Sequence, residues 1–494
     1  MDSATLITFI VYLAGMLAIG IIGYRLTSNL SDYFLGGRRL GPGVAALSAG
    51  ASDMSGWLLM GLPGSLFAAG FSEAWIAVGL ATGAYLNWQF VAKRLRIYTE
   101  VSNDSITVPD FFENRFRDNS HILRLVSALV IIVFFTVYTA SGMTAGAKLF
   151  TSAFDLTYEQ GIWIGAAVII AYTFLGGFIA VSWTDFFQGI LMFFALIILP
   201  ILAINELGGW NETMNIVGDL NPDHLNMVSG VGVIAILSSL GWGLGYFGMP
   251  HIIVRFMGMR SHKDVGKARF IGITWMVLGL YGAIFAGIAG YAYLSTVDTG
   301  IDMANFDSEI IFIVLSQLLS HPVIAGILLA AILSAVMSTI DSQLLVSSSA
   351  VAEDLYKGFI RRSASDKELV VVARLSVLVI ALVAIWMAYS PESSVFDLVS
   401  YAWAGFGAAF GPIIILSLFW KRITRNGAVA GMIVGAVTVF LWYEAKGGLF
   451  DLYEIFPGFV FNLIVTVLVS LADKEPPQEI QDEFEKARDI ARNS

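Results

Sequence analysis

From residue 5 to residue 472 the chain repeats one pattern, a run of about twenty mostly apolar residues followed by a short polar or charged interval. A helix needs roughly 20 apolar residues to cross the hydrocarbon core of a bilayer. Windows of that kind fall at about 5–25, 44–70, 74–92, 122–147, 160–180, 184–205, 231–256, 270–294, 323–350, 370–389, 395–419, 428–444 and 456–472. The pattern therefore predicts an all-α integral membrane protein with thirteen transmembrane helices. The first window is not a typical signal peptide: no cation precedes it, and Arg25 follows it where a small-residue cleavage site belongs. After Lys474 the pattern changes to Pro476-Pro477 and then QEIQDEFEKARDIARNS. That composition predicts a short solvated cytoplasmic helix with charge pairs four residues apart.

Two windows carry glycine and proline in their middle. The first is SAGASDMSGWLLMGLPG, residues 48–64, and the second is SSLGWGLGYFGMPHI, residues 238–252. They lie five windows apart, so units of five helices run over 44–205 and 231–419. Because five is odd, the second unit enters the membrane from the opposite face, which is the mark of an inverted-topology repeat. The remaining divisions are 1–43 for a first helix and cytoplasmic loop, 206–230 for an outer loop, 420–472 for two further helices and 473–494 for a tail. Lipid offers no hydrogen-bond partner to backbone groups freed by a break, so unwound backbone persists only where protein, ion or ligand takes it up. Paired broken helices are thus the natural place for a transport site.

Composition agrees with the pattern, since 57% of residues are hydrophobic and only 13% charged, with a mean hydropathy of +0.76. The net charge of -10 matters less than where the cations lie. With the first helix exiting into the cytoplasm, 26 of the 28 Lys and Arg residues fall in or beside cytoplasmic segments, leaving Lys148 and Lys446 outside. The positive-inside rule then sets the N-terminus outside and the C-terminus in the cytoplasm. The chain has no cysteine, its five histidines lack metal-ligand spacing, and it contains no phosphate-binding G-x-x-x-x-G-K-[ST] loop. No nucleophile and base fall into a recognisable constellation, so the expectation is a transporter driven by a gradient and not an enzyme.

Polar residues inside the windows are the candidate chemistry. Asp53 lies about ten residues into its window, where a carboxylate costs roughly 2.5 to 3.5 kcal/mol on insertion scales. It either binds an ion or stabilises the break by accepting backbone N–H bonds. ILSAVMSTIDSQLLVSSSA, residues 332–350, places Ser334, Ser338, Asp341 and Ser342 at helical spacing. In GGFIAVSWTDFFQG, residues 176–189, Asp185 is expected one turn into a helix after the Gly176-Gly177 turn. Carboxylates and hydroxyls together suit a small hard cation. Trp242 and Tyr246 are four residues apart on the second broken window, and Tyr138 comes from FFTVYTASG.

These stretches, with GWGLGYFGMPHIIVRFM, resemble the sodium:solute symporter family over nearly the whole chain. The resemblance implies a LeuT-like five-plus-five inverted repeat in a bacterial inner membrane. It also implies uptake of L-proline coupled to inward sodium flow by alternating access, or failing that, sodium symport of another amino acid, a carboxylate or a sugar. Na+ would be the coupling ion. By the same resemblance, Ala51 and Met54 offer backbone carbonyls to sodium and Ala335, Ser338 and Thr339 the facing oxygens. Ser55, Gly56, Tyr138, Trp242, Tyr246 and Pro250 line the solute site. Asp185, Asp341 and Ser342 are similar to a second cation site of some members, although other proline carriers have no acid at the position of Asp341. Asp53 supports the helix break or ion entry.

Overall fold

The computed structural model describes residues 3–25, 30–175, 177–390 and 392–493. Helices account for nearly all of them, because a chain in hydrocarbon must satisfy its backbone within each segment. The bundle begins with α1 (Ser3–Arg25), α2 (Pro42–Gly56), α3 (Leu62–Ala69), α4 (Ala74–Leu86), α5 (Lys93–Val101) and α6 (Val108–Phe116). It continues with α7 (Ile122–Phe154), α8 (Tyr158–Leu175), α9 (Phe178–Glu206), α10 (Val233–Gly241), α11 (Pro250–Met257) and α12 (Val265–Thr296). The last third contains α13 (Pro322–Ser349), α14 (Asp366–Met387), α15 (Val395–Phe419), α16 (Arg425–Glu444), α17 (Ile455–Ala472) and α18 (Gln478–Asn493).

Among the described residues ten helical stretches are long and apolar enough to cross a membrane, or eleven when the bent pair made by α10, its 3-10 turn and α11 counts as one span. The stretch Pro42–Val101 holds two of the sequence windows, and α8 falls in the shorter apolar class. The interval 206–230, expected to be an outer loop, is partly helical at Trp210–Leu220, and a further helix, Ile311–Leu319, lies between the windows that end at 294 and begin at 323.

Both expected interruptions are present. In the first, Ser55 has φ 48° and ψ −173°, and a π-helical turn at Trp57–Gly61 follows before α3 opens with Pro63. A non-glycine residue in that region of the φ/ψ map costs on the order of 1 to 3 kcal/mol, so the surrounding packing must impose it. In the second, α10 gives way to a 3-10 turn at Trp242–Phe247, and the chain resumes at Pro250 after a bend of 41°. Here the absence of side chains matters: a Cβ on Gly243 would collide with the carbonyl of Gly79, and one on Gly245 with the Trp403 indole. The unwound turn is therefore pressed backbone to backbone against α4.

α13 is the buried centre and packs against α1, α2, α7 and α9, while α15 packs against α7, α17 and the unwound turn. The tail helix departs from expectation. α18 lies along α5 with Ile480, Phe484 and Ala487 buried, and Glu483 and Glu485 pair with Arg117 and Lys421 of the body. Its apolar stripe makes it a docked helix, not a freely solvated one.

Candidate functional site

The first break meets α13 at a cluster of neutral oxygens. Ser338 Oγ donates to the carbonyl of Ala51 at 2.8 Å, Thr339 Oγ1 approaches the same carbonyl at 3.5 Å, and Ser338 also bonds back to Ala335 O at 3.2 Å. The Met54 carbonyl, the fifth predicted oxygen, accepts the Trp57 N–H. All five residues are buried. The hydroxyls belong on α13 because their helical spacing turns them toward α2, where a strand or loop would scatter them. Oxygens without formal charge, gathered from a backbone break and two hydroxyls, have the hardness a small monovalent cation requires.

Beside this cluster the predicted aromatic residues converge on Asp53. Tyr246 Oη donates to Asp53 Oδ2 at 2.5 Å, and Tyr138 Oη donates to the Asp53 carbonyl at 3.2 Å. The Asp53 side chain is thus held by a hydroxyl from the second broken helix, and it joins the two breaks directly. Trp242 stacks on Trp57 with ring centres 5.2 Å apart and lies 5.4 Å from both Phe396 and Tyr453. Its carbonyl accepts the Trp403 indole N–H at 2.7 Å. Ser55 forms the break itself and its Oγ accepts the Trp57 N–H at 3.1 Å. Gly56 faces Ala145 and Val336 so closely that a Cβ would stand 2.9 Å from Ala145. Pro250 opens α11 and lines a separate small cavity with Phe34, Ile106, Val254 and Leu345.

The third group differs from its sequence picture. Asp185 sits two turns into α9, not one, and Gly176 lies outside the described residues. Arg255, counted above among cytoplasmic loop cations, is fully buried. Its Nη2 pairs with Asp185 Oδ2 at 3.0 Å and donates to Ser342 Oγ at 2.5 Å, while Nε donates to Ser48 Oγ at 3.1 Å. Ser48 donates in turn to Asp185 Oδ2 at 2.8 Å, and Ser342 to Asp341 Oδ1 at 3.3 Å. The candidate second cation site therefore already holds a protein cation. Asp185 Oδ1 and Asp341 Oδ2 have no hydrogen-bond partner among the described residues.

Sequence reading missed several of these partners. Arg255 carried a signal, since a cation inside the end of an apolar window needs a carboxylate, and Asp185 was available. Trp57 and Trp403 carried none, because aromatic residues are common throughout the chain. Tyr12 of α1 reaches Ser334 at 2.8 Å and Gln188 at 3.2 Å, tying the first helix to α13 and α9. Lys148 is an exception to the charge rule. It pairs with Glu309 at 2.6 Å and Asp307 at 2.7 Å, and Glu309 also accepts the backbone N–H groups of Val395 and Phe396 at the start of α15.

A model of the sodium:solute symporter family matches residues 33–435. A sodium/proline symporter of Salmonella typhimurium is 55% identical over 98% of this chain and 96% of its own length. A high-affinity proline transporter of Bacillus subtilis is 54% identical over 96% of this chain and 99% of its own. Among solved structures, a Na+-coupled sialic acid symporter in a substrate-bound outward-open state superposes with a TM-score of 0.83 at 20% identity, over 97% of this chain and 99% of that one. The fold is thus that of an all-helical membrane transporter. By its matched length and by relatives more than half identical to it throughout, the chain belongs to the sodium:solute symporter family.

Proposed function

We propose that this protein is a secondary active transporter of a bacterial inner membrane that couples inward sodium flow to uptake of L-proline by alternating access. The observation that carries the reading is identity above 50% along nearly the entire chain to proline carriers. Sodium is held by Ala51, Met54, Ala335, Ser338 and Thr339. Proline, a small ring bearing a carboxylate and an ammonium, lies among Ser55, Gly56, Tyr138, Trp242 and Tyr246, with Pro250 at the start of the helix that follows the second break. Aromatic walls suit the ring, and backbone groups at the breaks suit the charged ends.

Alternating access follows from what the two sites share. The Ala51 carbonyl belongs to the ion and Asp53 joins the second break through Tyr246, so filling the ion site fixes the orientation of both breaks around the solute. The Asp185, Asp341 and Ser342 cluster serves as the anchor of Arg255, and a second transported ion would have to displace that guanidinium. We further propose thirteen spans arranged as one helix, five-helix units over 44–205 and 231–419 and two more helices, with the N-terminus outside and the C-terminal tail in the cytoplasm. Counting Pro42–Val101 as two spans, α8 as one and the bent pair as one supports that number. A panel of labelled amino acids, carboxylates and sugars offered to cells making the protein tests the solute assignment, with sodium-dependent uptake expected for proline above all others.

A further inference from the structure

Pro412 stands inside α15. A proline there has no N–H to give the carbonyl four residues earlier, and its ring pushes that carbonyl away. The carbonyl left without an intrahelical donor is that of Ala408, and it is fully buried. A single residue from α17 takes it up: Asn462 Nδ2 donates to Ala408 O at 2.6 Å and to Ala409 O at 2.9 Å. Asn462 Oδ1 accepts the Thr466 hydroxyl at 2.9 Å. Since carbonyls only accept, these partners fix which end of the amide is which.

The neighbouring helix is shaped around this contact. A Cβ on Gly435 would collide with Ala408 O and stand 3.1 Å from Asn462 Nδ2, and one on Gly431 would collide with the Thr466 hydroxyl. α16, α17 and α15 thus meet at one point, the Ala408–Pro412 turn of α15. Five residues before Ala408 on the same helix is Trp403, whose indole N–H holds the Trp242 carbonyl and whose ring abuts Gly245. Asn462 lies beyond the residues matched by the family model.

We propose that Asn462 is a positioning residue for solute binding: it caps the carbonyl that Pro412 frees, fixes the course of α15 at that proline, and so holds Trp403 against the unwound turn that carries Trp242. The part concerning solute rests on the function proposed above; the part concerning α15 does not.

The test is a two-by-two comparison of Asn462→Leu and Pro412→Ala. In Pro412→Ala, residue 412 regains an N–H for the Ala408 carbonyl, so the cap becomes dispensable. Two readouts are taken at equal amounts of membrane protein: the proline concentration for half-maximal uptake, and the labelling rate of a cysteine placed at Ser400 on α15 in this cysteine-free chain, without any solute. Asn462→Leu is expected to raise the proline concentration about tenfold and the labelling rate at least about threefold. In the Pro412→Ala background the same change is expected to shift either readout less than about twofold. Equal shifts in both backgrounds, or no shift in either, overturn the proposal. Asn462→Asp, similar in size but without the donor, makes the same comparison if Asn462→Leu does not reach the membrane. A chain that labels as expected but takes up no proline contradicts the solute assignment and leaves the cap standing.

Discussion

A hydroxyl that donates to a carbonyl in one conformation can turn its oxygen toward a cation in another, and Ser338 and Thr339 stand on Ala51 O in just that way. Ser338→Ala or Thr339→Ala is therefore expected to raise the sodium concentration for half-maximal transport about tenfold while leaving the amount of protein nearly unchanged. Unchanged sodium activation in both variants would remove these residues from the ion site. Trp242→Ala and Tyr138→Ala act on the other ligand, and uptake curves should show a higher proline concentration at half-maximal rate. At Asp185 the expectation is loss of the folded protein, because Asp185→Asn leaves the Arg255 guanidinium buried beside a weaker partner. Breaking such a pair costs about 3 to 5 kcal/mol, which a fall in the detergent unfolding temperature would register.

Whole elements were easier to foresee than their contacts. Windows at 395–419 and 323–350 coincide with α15 and α13 to within a residue, since an apolar run of membrane length leaves the backbone little choice. Both breaks were also legible, because Gly56, Pro63, Gly243 and Pro250 interrupt otherwise continuous apolar runs. The pairing of Asp53 with Tyr246, the stacking of Trp242 on Trp57 and the docking of α18 were not legible. Each depends on which helices become neighbours, and local spacing says nothing about that. Glycines show the difference at the scale of the element. Gly243→Ala forces a methyl into the Gly79 carbonyl and is expected to destabilise the protein by about 1 to 3 kcal/mol or prevent its accumulation. Gly266 in α12 has nothing within 4 Å of an added Cβ, so Gly266→Ala should be neutral or stabilising by up to about 1 kcal/mol through helix propensity. The unfolding temperature should fall in Gly243→Ala and hold or rise in Gly266→Ala.

For the molecule as a whole, orientation and energy coupling are the questions. A cysteine introduced at Ser3 should react with an impermeant thiol reagent in intact cells, and reaction only after permeabilisation would invert the topology. Coupling has a magnitude that can be stated beforehand. One sodium ion moving down a tenfold gradient and 100 mV supplies roughly 1.4 plus 2.3 kcal/mol, enough for an approximately 500-fold accumulation of a net-neutral solute. Two ions would square that ratio, but the second would need the place Arg255 fills beside Asp185 and Asp341. The most direct test is flux through the purified protein in proteoliposomes, with an imposed sodium gradient and labelled proline and sodium counted together. The account predicts proline accumulation that collapses with the gradient and a sodium-to-proline ratio of about one; proline flux indifferent to sodium would contradict it.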